Sequence, residues 1–411
     1  MPHEAALIAT LATSLGVAFV FGLVAVRIGL PPVVGYLLAG IAVGPFTPGF
    51  VGDMKIAGQL AEIGVMLLMF GVGMHFPLSE LMAIRRIALP GALLRMAVIA
   101  VLGAGVAAFW GWPLTSGLVF GLALAVASTV VLLRALETET DMGAEDRRLA
   151  IGWLVVEDLA MIVVLVLLPV TARLVGAGGA PVLGHESWSG ALGLIALTIA
   201  KVAVFVAMML VIGARLLPWL LNQVVRTGSR ELFTLAVVAS AIGIAFGAAK
   251  LFGVSFALGA FFAGVVVHAS DHSNRAEADL QPLEDAFGVL FFVSVGMLFD
   301  PSILIRQPVE ILTVLAIVLV GKSVVTFGLM RAFGHPPRAA ALIAASLSQI
   351  GEFSFILAGL SVGLGLLPEE GRSLILAAAL VSIAVNPVMF RVAKRWSRLP
   401  SETHTRQPVS D

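Results

Sequence analysis

The sequence predicts an all-α polytopic membrane protein of about thirteen transmembrane helices, built as two inverted six-helix repeats. Three observations carry this. Of 411 residues, 59% are hydrophobic and only 12% charged, with a mean hydropathy of +1.05; a water-soluble domain carries about twice that charged share. Basic residues concentrate in alternate loops. The chain also partly repeats itself at a shift of 223 to 224 residues, at matching points in successive spans.

Breaks at Gly, Pro and charge clusters leave stretches of the length that a bilayer demands. They run 5–26, 31–46, 57–76, 88–110, 114–134, 149–172, 190–216, 230–249, 253–269, 284–299, 309–332, 338–365 and 371–391. The first, Ala5 to Val26, lacks a basic start and a small-residue cleavage site, so it reads as a retained helix and not a signal peptide. With the N-terminus outside, the inner loops and tail hold seventeen basic residues, among them Arg85, Arg86, Arg147, Arg148 and Lys394. The outer loops hold five: Lys55, Arg173, Lys250, Arg306 and Arg372. That asymmetry puts the C-terminal tail, 396–411, in the cytoplasm. The formal net charge is zero, which argues against a nucleic-acid partner. The absence of cysteine excludes a disulfide framework, a thiolate metal site and a cysteine nucleophile.

The repeat lays Gly29–Gly40 on Gly253–Gly264, sharing both outer glycines, the central glycine and an alanine. It also lays Val72-Gly-Met-His-Phe76 on Val295-Gly-Met-Leu-Phe299, and Gly111-Trp-Pro113 on Gly334-His-Pro336. Residues 5–172 thus pair with 230–391, leaving a connector helix at about 190–216. An offset of seven spans inverts the second half. Inverted repeats around a midplane site mark secondary transporters. Small-residue motifs also serve plain helix packing, which explains any one match but not three in register.

Glu157 and Asp158 stand side by side in the apolar run Ile151–Leu167. A carboxylate at the centre of a spanning helix costs on the order of 2.5–3.5 kcal/mol. Adjacent helical residues point about 100° apart, so one can face an ion pathway and the other a partner. The repeat places Ala125–Val130, containing Ser128 and Thr129, on Ser348–Phe353, containing Gln349, Gly351 and Glu352. Both stretches are small or polar in mid-span and read as broken helices, whose opened carbonyls and helix ends suit a desolvated cation. The plainer reading of Ser128 and Thr129 is back-bonding to the preceding turn.

Lys322, central in its span, is expected to pair with Glu157 as a structural charge partner, leaving Asp158 to bind cation and proton in turn. Arg95 lies nearer a boundary and reads as a snorkelling residue or as one that contacts lipid or a helix end. Glu62 marks a possible funnel. The cluster Glu137–Asp146 reads as a solvated face or a docking surface for a regulatory domain. His75 reads as a boundary residue, and the histidines show no metal-ligand spacing. No catalytic residue and no resident metal site is expected.

Taken in order, Leu60–Gly73, Ala127–Leu133, Val156–Leu159, Phe291–Met297 and Leu347–Phe353 resemble the monovalent cation:proton antiporter-2 family, most closely its Kef-type potassium/proton antiporters. The resemblance covers about 5–395. It implies a sodium/proton-antiporter-like fold over residues 1–395, with crossed discontinuous helices at Ser128-Thr129 and Gly351-Glu352, a homodimer in a bacterial inner membrane, and elevator-type exchange of K+ or Na+ for H+, with no cofactor in this chain. It implies that Asp158 is the cation-and-proton aspartate and that Lys322 matches a basic residue of the neighbouring core helix. Two features depart from the pattern. Glu157 stands where many Kef-type members have Gln. No G-x-G-x-x-G fingerprint follows the spans, so either this is a short form or the nucleotide-binding regulatory domain of many relatives lies in a segment or subunit outside this chain. The alternatives are a sodium/proton antiporter or, in a different class, a gated cation channel; paired carboxylates alone give little support to an intramembrane hydrolase.

Overall fold

The computed structural model describes residues 3–49, 51–75, 78–138, 142–175 and 188–397, and among these the chain is all helix and connection, with no strand. The tail from 398, His185 and residues 137–141 of the expected docking cluster at 137–146 lie outside the described residues or side chains.

Among the described residues, nine helices are long and apolar enough to cross a membrane, and four shorter apolar ones accompany them. Together they account for the expected crossings, about thirteen. The first half contributes α1 (His3–Arg27), α2 (Pro32–Val43), α3 (Met54–Met74), α4 (Leu78–Phe109), α5 (Leu114–Ala125), α6 (Thr129–Thr138) and α7 (Ala144–Leu174). The connector is α8 (Trp188–Met208), which continues through a π-turn into α9 (Ala214–Arg226) and so runs ten residues beyond its expected end. The second half contributes α10 (Arg230–Phe252), α11 (Phe256–His268), α12 (Ser273–Met297), the single turn α13 (Ile303–Arg306), α14 (Pro308–Leu315), α15 (Lys322–Ala332), α16 (Pro337–Ser346), α17 (Glu352–Gly363) and α18 (Glu369–Ser397).

The starts and stops follow local chemistry. Asp53 caps α3 by accepting from Lys55 N and Ile56 N, and Ser229 and Ser255 cap α10 and α11 through Leu232 N and Leu258 N. Gly253 ends α10 at φ +69°, a left-handed position that a side chain would strain.

Two groups of helices emerge from the packing. One combines α1–α3 with α9–α12; the other combines α4, α5, α7 and α14–α18, with α6 against α7 and α16. Only sparse contacts, such as α7 with α11 and α2 with α18, join them. The repeat glycines make the closest crossings within the first group. A Cβ on Gly40 of α2 would lie 2.8 Å from Gly296 Cα of α12, and one on Gly264 of α11 would lie 3.0 Å from Met74 N of α3, next to Gly73. Gly40 and Gly264 correspond under the sequence shift, as do Gly73 and Gly296. Such backbone-to-backbone approach is what small residues allow in a bilayer, where packing replaces the hydrophobic drive. The outward faces carry exposed apolar side chains, including Ile8, Phe19 and Val24 on α1.

Candidate ion-binding site

Helices α5 and α6 are separated by the extended residues Val126–Ser128, and α16 and α17 by Leu347–Gly351. The two breaks cross. Gly351 N donates to Val126 O at 3.2 Å, Ser128 N donates to Gln349 Oε1 at 2.8 Å, and Gln349 Nε2 donates to Ser128 O at 3.1 Å. Residue 351 must be glycine, because a Cβ there would strike the Ala127 carbonyl. Gln349 therefore supplies the peptide hydrogen bonds that a continuous helix would have made. Gln349→Leu is expected to cost about 1–3 kcal/mol for each buried group left unpaired, read as a fall in Tm of the purified protein in detergent.

The crossing brings like helix ends together, and the charges sort accordingly. Two C-terminal ends present carbonyls with partial negative charge, and both buried cations meet them. Arg95 donates to Ala125 O (3.2 Å) and Leu347 O (3.4 Å), and Lys322 Nζ donates to Val126 O (3.1 Å) and Gln349 O (2.7 Å). Two N-terminal ends present N–H groups with partial positive charge, and the carboxylates meet those. Ala127 N donates to Glu157 Oε2 (3.3 Å), and Thr129 Oγ1 donates to Asp158 Oδ2 (3.0 Å). Glu352 opens α17 and bonds with Ser128 and Thr129. Ser128 caps α6 by accepting from Val131 N at 3.3 Å, a cap in place of back-bonding.

The expected Lys322–Glu157 pair is not formed. Glu157 is ion-paired with Arg95, both fully buried. Arg95 does not snorkel, because α4 runs 32 residues from Leu78, ten residues before the expected start of that span, and so sets Arg95 in mid-helix. Its planar fork of five donors then reaches the carboxylate and two carbonyls at once. Lys322 follows directly on a π-turn, Ala316–Gly321, and serves the crossed carbonyls instead.

Glu157 turns toward α4, whereas Asp158 turns into a cavity of about 430 Å³ that Thr129, Glu352, His75 and Glu284 also line. Asp158 and Glu352 are 4% and 2% exposed, yet Asp158 Oδ1 and Glu352 Oε2 have no hydrogen-bond partner among the described residues. A buried anionic oxygen without a partner is costly; a cation or a proton relieves that cost. Glu62 stands exposed on α3 and does not line the cavity. No group of three or more His, Asp or Glu side chains among the described residues could hold a metal ion.

A family model described as sodium/hydrogen exchanger, transmembrane, matches residues 15–396. YbaL of Escherichia coli (strain K12), provisionally named a cation/proton antiporter, is 54% identical over 396 residues, covering 96% of this chain and 70% of YbaL. The glutathione-regulated potassium-efflux system protein KefC of Salmonella heidelberg (strain SL476) is 32% identical over 388 residues, covering 93% of this chain. The chain spans 60% of that protein's length. Among solved structures, the sodium proton antiporter MjNhaP1 of Methanocaldococcus jannaschii at pH 8 superposes with a TM-score of 0.68 over 95% of this chain and 99% of that one. At 15% identity it shows a shared fold.

Proposed function

Because the chain belongs to the sodium/hydrogen exchanger family of transmembrane proteins, we propose that it is a secondary active monovalent cation:proton antiporter that favours potassium. The observation that carries the reading is Asp158: a buried carboxylate with one free oxygen, facing a cavity, and not neutralised by either buried cation. Arg95 answers Glu157, so the charge of Asp158 is answered by whichever ion enters. A monovalent cation held by Asp158, the Glu352 carboxylate and the Thr129 hydroxyl gives one occupied state. A proton on Asp158 gives the other, and the two exclude each other.

The second helix group carries Asp158, Glu352, Arg95 and Lys322 together. It moves as a body past the first group in an elevator-type step, for which the sparse contacts between the groups leave freedom. The opposite orientation of the two halves relates the inward- and outward-facing forms by a pseudo-two-fold axis in the membrane plane. The reading includes a homodimer in the bacterial inner membrane, the N-terminus outside, and a nucleotide-binding regulatory partner beyond this chain. Potassium is favoured over sodium because KefC is named for potassium efflux. A channel reading is weaker, since a filter needs a ring of groups around an axis and here the polar groups sit on two crossed breaks of one chain.

Reconstitution tests this. Vesicles holding the protein and a pH-sensitive dye are pulsed with potassium or sodium chloride. Proton efflux driven by potassium is expected; a response to sodium alone overturns the ion assignment, and cation flux without proton movement overturns the antiporter.

A further inference from the structure

The cavity that ends at Asp158 contains a second carboxylate, one that the exchange just described does not use. Glu284 lines it from α12, in the first helix group, whereas Asp158 and Glu352 line it from the second. The half-buried Glu284 makes no hydrogen bond or ion pair with any described residue. His75 would be the natural partner, but its ring is committed on both sides: Nδ1 to Gly71 O at 2.8 Å and Nε2 to Glu277 Oε1 at 2.9 Å. The Glu284 carboxylate rests on Gly71, where a Cβ would strike both its oxygens. Glycine at 71 therefore leaves the space that the carboxylate occupies. His75, 60% exposed, marks the mouth of the cavity, and Asp285 and Glu277 are the other charges near Glu284.

An acidic residue near a mouth is ordinarily just solvated. Here the same cavity also receives Asp158 Oδ1 and Glu352 Oε2, both more than nine-tenths buried and both unpartnered. These oxygens mark the space as one that takes a cation, and Glu284 adds negative charge on its opposite helix group. Charge of one sign in a low-dielectric cleft raises the local concentration of the oppositely charged ion.

We propose that Glu284 forms a second cation-binding site, at the mouth of this cavity, which a monovalent cation occupies on its way to or from Asp158. The proposal rests on the antiporter reading and extends it. Glu284 stays with the first helix group, so it loads the carrier without travelling with it. Its loss should therefore weaken loading and spare the carrying step.

The test uses full-chain protein in dye-loaded vesicles, titrated with potassium chloride, or with sodium chloride if that ion drives proton flux. Glu284→Gln is expected to raise the apparent KM about tenfold and keep Vmax within about twofold, with Glu284→Asp recovering most of the affinity. An unchanged KM overturns the proposal, and so does a loss confined to Vmax. Should Glu284→Gln fail to fold, Gly71→Ala displaces the carboxylate without removing it and carries the same expectation: KM raised, Vmax kept, and an unchanged KM decisive against the site. Asp158→Asn runs in parallel. Exchange that survives it overturns the antiporter reading, a result distinct from any shift in KM at Glu284.

Discussion

Arg95→Leu is expected to destabilise the protein by about 3–5 kcal/mol, the usual cost of removing one partner of a buried ion pair. The guanidinium is fully buried, neutralises Glu157, and also bonds Ala125 O and Leu347 O at the ends of α5 and α16. Leucine leaves a carboxylate without its counter-charge and two helix ends without a donor. The measurement is Tm in detergent, with the fraction of monodisperse protein as a second readout. The double variant Arg95→Leu/Glu157→Leu removes both charges and should recover part of the loss, though not the share owed to the two carbonyls. A single variant as stable as the wild type would contradict the assignment of Arg95 as the partner of Glu157.

Asp158→Asn is expected to cut coupled exchange at least about a hundredfold, since it removes the only step in which cation and proton compete. The amide is nearly isosteric and can still accept from Thr129 Oγ1, which now bonds Asp158 Oδ2 at 3.0 Å. The fold should therefore survive, and Tm should stay near or above that of the wild type, because a buried charge with an unpartnered oxygen has been replaced by a neutral group. Loss of transport with a retained fold separates this role from the structural role of Arg95. A variant that exchanges as well as wild type would falsify the assignment of Asp158.

Much of the architecture is legible in the chain because bilayer physics leaves few choices: span length, loop charge and small residues at crossings. The breaks at Val126–Ser128 and Leu347–Gly351 could be found because the repeat aligns two stretches whose polarity makes no sense facing lipid. The partner of Glu157 could not. Which of two cations reaches a carboxylate depends on helix length and rotation, and α4 begins ten residues before the expected start of that span. A π-turn ahead of Lys322, invisible in an apolar run, further alters where that side chain points. Glu284 gave no signal either. It is one acidic residue among Glu277, Asp279 and Asp285 along the first half of α12, and its place in the cavity and the packing of Gly71 against it set it apart.

The central claim is that cation and proton compete for Asp158, and the most direct measurement is the apparent KM for the driving cation as a function of pH, taken in vesicles holding wild-type protein. Competition for one site predicts that KM rises as pH falls, approaching about tenfold per pH unit once the proton dominates, with Vmax at saturating cation unchanged. A KM that does not move with pH while Vmax does would contradict it, and would place the proton and the cation on different groups.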